Sequence, residues 1–288
     1  SETEGELLSQ GAPSYIAPTI PAEQATLQEV VSFVAERYED TKVSVTLLNN
    51  FFGCPWKWYF RSFLKLPEVK SVSLALGSAV HSTIEHILKA GTQPPLDLLK
   101  EIVESELEKE GVSEPVELRR LAKDAMAALG TWMETYYPHL AKDRQSERSL
   151  QAKDDRFPHL SLYGKIDLTE RFPDESIVVT DFKTGGVKTK GVIEKATDEG
   201  RLSDYMRQLA MYSYLVRLAE KKGVARSRLL FVEAGQEEKN ALYETHIGDE
   251  QIDLLIRDII EYDETLKSGE WVGRECHHKG YGDNTECE

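Results

Sequence analysis

One segment constrains the fold more than any other: Ile177-Val178-Val179-Thr180-Asp181-Phe182-Lys183, a strand-like run rich in β-branched residues that ends in an acid and a lysine. Side chains alternate faces along a strand, so Asp181 and Lys183, two positions apart, project side by side. An ordinary buried strand does not end this way. Upstream, Leu160-Ser161-Leu162-Tyr163-Gly164-Lys165-Ile166-Asp167-Leu168 also alternates, with Leu160, Leu162, Ile166 and Leu168 expected on one face and Asp167 on the other. Between the two runs, Phe172-Pro173-Asp174-Glu175-Ser176 has the composition of a turn. The strands are therefore expected to form a hairpin that brings Asp167 and Asp181 to one end of a sheet.

Two neighbouring carboxylates repel, and a divalent cation between them keeps both ionised. Oxygen ligation of this kind suits Mg²⁺ or Mn²⁺, which retain waters for a phosphate and a nucleophile. Such an ion neutralises charge on a phosphodiester and lowers the pKa of the attacking water. Lys183 would orient that water or stabilise the charge that develops. The alternative reading of Asp-x-Lys taken alone is a surface ion pair at a strand end, which contributes little.

Further motifs lie in a particular order. Cys54-Pro55-Trp56-Lys57-Trp58-Tyr59-Phe60-Arg61 comes first, then Gly77-Ser78-Ala79-Val80-His81, then Asp167, Asp181-Phe182-Lys183 and Gln208-Leu209-Ala210-Met211-Tyr212. Together these resemble the RecB-like exonuclease branch of the PD-(D/E)xK nuclease superfamily, over about Val43 to Ala234. The resemblance implies an α/β fold with a restriction-endonuclease-like core, an α-β-β-β-α-β mixed sheet flanked by helices, carrying a helical insertion. It implies that Asp167, Asp181, His81 and the backbone carbonyl of Phe182 bind the metal, that Lys183 is the catalytic lysine, and that Gln208 and Tyr212 position substrate. Gln208 and Tyr212 are one helical turn apart and so share a face. Glu85, one turn after His81, is either an outer partner of the imidazole or an exposed helix glutamate.

The activity implied is a Mg²⁺- or Mn²⁺-dependent deoxyribonuclease, an exonuclease on DNA ends or single strands within a helicase-nuclease of DNA repair or recombination. DNA and a helicase or motor domain are the expected partners. The alternative is a catalytically inactive nuclease fold serving as a DNA-binding or scaffolding module. Retention of Asp167, Asp181, Lys183, Gln208 and Tyr212 argues against it.

Charge sets a limit on how such a protein meets its substrate. The 288 residues carry a net charge of -15, which disfavours indiscriminate phosphate binding but leaves local basic contacts open. Lys188 and Lys190, in the Gly-containing loop after the Asp181 strand, read either as a phosphate-tracking lip or as a solvated loop. Arg61 is the third candidate for nucleic-acid binding. Phe51, Phe52, Trp56, Trp58, Tyr59 and Phe60 are dense enough to make core contacts first, with stacking faces for single-stranded bases as the other use.

Organisation follows from composition along the chain. Residues 1–41 read as a linker or N-terminal extension, with helical character from Ala22 to Tyr38, and residues 42–270 as the nuclease domain. Two amphipathic helices, Leu96 to Glu110 and Val116 to Tyr137, form the insertion at about 92–140. Arg148 to Lys153 reads as a weak first strand, Leu202 to Lys222 as a helix, Arg228 to Ala234 and Ala241 to Ile247 as strands, and Asp249 to Ser268 as a final helix. Residues 271–288 form a tail containing Cys276, His277, His278 and Cys287. Some RecB-like nucleases hold the tail to the entry motif with a four-cysteine iron-sulfur cluster, and Cys54, Cys276 and Cys287 are the residues that could take part. Lys279 and the count of three cysteines depart from that pattern, which leaves a zinc site or three reduced thiols as the alternatives. No run of roughly eighteen apolar residues and no signal sequence is present, so a cytoplasmic protein is expected.

Overall fold

A computed structural model describes residues 27–67, 70–232 and 241–274. Helix α1 (Leu27–Ala35) leads to a two-residue strand, β1 (Lys42–Val43), and then to α2 (Val45–Gly53), whose first turn is capped by the Ser44 hydroxyl accepting the Leu47 amide. A short turn, α3 (Pro55–Lys57), runs into a π-helical segment at Trp58–Phe63. Helices α4 (Val72–Ala90), α5 (Leu96–Lys109) and α6 (Pro115–Thr135) follow. Then come β2 (Asp143–Ala152), β3 (Ser161–Arg171), β4 (Ile177–Lys183), α7 (Lys190–Glu194), α8 (Asp204–Glu220), β5 (Arg226–Phe231), β6 (Leu242–Thr245) and α9 (Asp249–Ser268).

The six strands form one mixed sheet. β3 and β4 make the expected hairpin, from Arg171↔Ile177 to Leu168↔Thr180, closed by the Phe172 amide donating to the Ser176 carbonyl. β4 and β5 are parallel, which requires a crossover, and α8 supplies it. Leu162 pairs with Val43 on one side and Ala152 on the other, while Leu168 pairs with Thr180 and Ser146. Thus β1 and β4 lie along the same edge of β3, one at each end. Residues 163–166 between them pair with β2 alone.

β4 is buried on both faces up to Phe182, which explains its nearly continuous apolar sequence. One core holds Ile177, Val179, Leu229 and Phe231 against α8, α9 and the N-terminal helices. The other holds Phe182, Leu230 and Val232 against α4, α5 and α6. Five of the six dense aromatics, all but Phe60, belong to the first core or pack against it: Phe51 and Trp58 are fully buried, and Trp58 packs on Tyr262 and Trp271.

Three expectations need correction. Leu168 does not share the core of Leu160, Leu162 and Ile166 but joins Phe182 on the opposite side, because the strand changes face around Asp167. The first strand of the hairpin sheet starts at Asp143 rather than Arg148, since its partner β3 extends to Arg171 and carries the pairing. Residues 27–41 are not a linker: Val34 and Tyr38 are fully buried, and the Tyr38 hydroxyl donates to Asp263 at 2.6 Å. Residues 1–26 and positions 233 and 234 lie outside the described residues. Among the described residues no helix is long and apolar enough to cross a membrane.

Candidate functional site

The site forms where β3 and β4 part. Their ladder ends at Leu168↔Thr180, and the next link is the Asp167 carboxylate, whose Oδ2 accepts the Phe182 amide hydrogen at 2.7 Å. A side chain has replaced the backbone as the bridge. Helix α4 comes close to the opening at Gly77, where a Cβ would stand 2.7 Å from Thr184 Oγ1, just past β4, so that only the smallest side chains fit. One turn further along α4, His81 places Nδ1 3.5 Å from Asp167 Oδ2, and its ring meets the buried Phe182 ring edge-on at 6.1 Å. Burial alone would lower the His81 pKa, but the Asp167 and Asp181 carboxylates outweigh it and the net direction is upward.

Asp181 is buried beside this pair. Burial first, and the Asp167 charge second, push its carboxyl up to about 6. Its Oδ1 accepts from Gln208 Nε2 at 2.6 Å and from the Tyr212 hydroxyl at 3.4 Å. Lys183 Nζ donates to Gln208 Oε1 at 2.6 Å and lies 2.8 Å from Asp181 Oδ2. That last contact is an ion pair without the alignment of a hydrogen bond, so Oδ2 remains a buried acceptor with no aligned donor. Burial and the neighbouring Asp181 charge raise the Tyr212 pKa, which keeps its hydroxyl a donor. Helix α8 comes this close because Gly164 on β3 leaves room: a Cβ there would lie 3.3 Å from the Tyr212 ring and 2.7 Å from Leu215.

The structure adds one residue that the sequence reading missed. Glu147 on β2, in left-handed backbone at φ 54°, brings a carboxylate oxygen into a cluster with His81 and Asp167, the three ligand atoms lying within 4.8 Å of one another. It also forms an ion pair with Lys165. One imidazole and two carboxylates make a mixed nitrogen and oxygen donor set of the kind a divalent cation takes, and Asp181 is not one of the three. The residues present therefore fit a divalent ion.

The remaining candidates divide. Glu85 pairs with Lys89 on the surface and does not hold the His81 ring. Arg61 is half-buried in the π-helical segment. Lys188 is exposed on the loop after β4, and Lys190 starts α7, where it faces Glu194 at 3.7 Å. Cys54 is buried, its Sγ accepting the Lys57 amide at 3.4 Å as a helix cap. Cys276 and Cys287 lie outside the described residues.

Comparison with known proteins agrees with this geometry. The sequence profile of the PD-(D/E)XK nuclease superfamily matches residues 42–287. No curated protein matches the chain in sequence. A solved protein of Eubacterium rectale, named as an inferred exonuclease, is 18% identical over 82% of this chain and 84% of its own, with a TM-score of 0.54, and so shares the fold. The structure of SSO0001 is 13% identical over 80% of this chain and 85% of its own, with a TM-score of 0.32. With its profile match spanning most of the sequence and the acid-acid-lysine set gathered at one end of a mixed sheet, the chain belongs to the PD-(D/E)XK nuclease superfamily.

Proposed function

We propose that the protein is a metal-dependent deoxyribonuclease that hydrolyses phosphodiester bonds at DNA ends or in single strands, as a module served by a helicase or other motor in repair or recombination. The observation that carries this reading is the assembled network of Asp181, Lys183, Gln208 and Tyr212 beside Asp167 and His81. A domain kept only as a scaffold has no need to hold a lysine and a glutamine in register on a buried carboxylate.

Asp167, Asp181, His81 and Glu147 are the residues that would hold a divalent ion. When bound, such an ion supplies Lewis-acid stabilisation of the phosphate and a more acidic water. Lys183, fixed by Gln208, keeps a positive charge beside the scissile group as negative charge develops there. Tyr212 and Gln208 hold the Asp181 carboxylate in one orientation, so that it need not reorganise during the reaction. Lys188 and Lys190 stand on the loop that leaves Lys183 and are proposed as contacts to the strand. The helical insertion at α5 and α6 backs α4 and thereby sets His81.

Digestion of end-labelled single- and double-stranded DNA with Mg²⁺, Mn²⁺ or EDTA, by the wild type and Asp181→Ala, tests the reading. Cleavage by the wild type with metal, abolished by EDTA and by the substitution, is expected. A folded, metal-supplied wild type that leaves every substrate intact would sink the proposal.

A further inference from the structure

We infer that a cleft next to the site holds a single strand of nucleic acid and leads it to Asp167, an inference that rests on the nuclease reading above. The cleft has a volume of about 640 Å³, and its wall carries Lys42, Lys57, Arg61 and Lys65 with Tyr163 and a single carboxylate, Asp40. On a chain of net charge -15, four cations against one acid is a local reversal of sign. Cations elsewhere on this surface are mostly paired, as Lys70 is with Glu110 and Arg171 with Glu220. Among the described residues, Lys42, Lys57 and Lys65 form no ion pair with a carboxylate. An excess of positive over negative charge gathered in one cleft is self-repelling, and a polyanion relieves that repulsion.

The backbone holds this arrangement deliberately. Arg61 lies in the π-helical segment Trp58–Phe63, with Lys57 just before it and Lys65 just after, and the wider i→i+5 turn is a rare feature concentrated at functional sites. Lys42 on β1 sits 5.0 Å over the Tyr163 ring, which keeps its ammonium at the cleft. Tyr163 in turn offers an aromatic surface of the kind on which unpaired bases stack.

Strand β3 links the cleft to the site, carrying Tyr163 in the cleft wall and Asp167 in the site. Tyr163, Lys165 and Asp167 alternate along β3 with the buried Leu162, Gly164 and Ile166. Asp167 lies four strand positions along from Tyr163, about 13 Å, which a few nucleotides of extended strand would cover. Along that stretch no described strand pairs with β3 on the edge between β1 and β4.

The test compares wild type with the triple variant Lys42→Ala, Lys57→Ala, Lys65→Ala. Fluorescence anisotropy with labelled dT15 and rU15 is followed in EDTA from 50 to 300 mM NaCl, and cleavage of the same oligonucleotides in Mn²⁺. Each lost phosphate contact on a single strand should remove about 0.7 from the slope of log K against log salt, so the slope should shrink by about 2. Affinity at 100 mM should fall at least ~10-fold, with a raised KM for cleavage. The two probes tell DNA from RNA. Should the triple variant unfold, Lys65→Glu on the exposed rim repeats the measurement and should weaken binding by itself. If the wild type cuts and the variants bind and cut as it does, the cleft proposal is overturned while the nuclease reading stands. A wild type that neither binds nor cuts overturns both, and displacement of the oligonucleotide by polyglutamate at equal strength would reassign the cleft to acidic polypeptides.

Discussion

Lys183 divides its contacts between a carboxylate and an amide, and that division sets what its loss does. Its ammonium contacts Asp181 and Gln208 and stands 5.8 Å from the Tyr205 ring, but it anchors no core residue. Lys183→Ala should therefore still fold, though Asp181 loses the cation that favours its charged form, and should lose turnover by at least ~100-fold, as for one missing transition-state charge partner. An unaltered single-turnover rate would reduce it to a structural ion pair. Glu147 is the complementary case. Its carboxylate belongs to the cluster with His81 and Asp167, so Glu147→Gln should weaken Mn²⁺ binding, measured calorimetrically, by at least the ~10-fold that even outer-partner losses cost. Equal affinity would make Glu147 only the partner of Lys165. Spacing made the shared face of Asp181 and Lys183 and that of Gln208 and Tyr212 legible, while the grouping of these with Asp167 came from the hairpin expectation and the family resemblance. Glu147 was not legible: it sits in Asp143-Arg144-Gln145-Ser146-Glu147-Arg148, where no apolar alternation marks a strand, and left-handed backbone at a glutamate leaves no trace in sequence.

At the scale of elements, the site depends on how closely α4 and α8 approach the sheet. Gly77 sets the first approach. In Gly77→Ala the new methyl would meet only the Thr184 hydroxyl, which can rotate away, whereas Gly77→Leu would push α4 off the end of β4. The leucine variant should lose about 1–3 kcal/mol of stability, the range for overpacking, and its activity should fall further than its melting temperature suggests because His81 moves with the helix. Alanine at the same position should keep both nearly intact. Comparable activity in the two variants would show that the approach is not tight. Long amphipathic helices such as α5, α6, α8 and α9 were legible to within a few residues, since each buries one stripe. The face change at Asp167 was not, because it arises where the β3 and β4 ladder gives way to a side-chain bridge, a tertiary event with no local pattern.

For the whole molecule the question is how a chain of net charge -15 captures a polyanion. At physiological salt the Debye length is about 8 Å, so distant acids are screened from a bound strand while the cations lining the cleft are not. Capture then rests on a few local contacts, and four phosphate contacts on a single strand correspond to a salt slope of only about -3. The steep fall from 50 to 200 mM salt should cost about 50-fold in affinity, as that slope dictates. Intrinsic affinity in physiological salt should accordingly be weak and cleavage by the chain alone slow. Tethering to a motor raises the local concentration of strand into the millimolar range and removes the need for tight binding. Fusing the chain to a heterologous single-strand-binding domain should hence raise cleavage of dilute DNA at least tenfold without changing the rate at saturating DNA. A free chain that already held short single-stranded DNA at nanomolar strength in 150 mM salt and cut it processively would show that delivery is unnecessary, and the motor would drop out of the proposal.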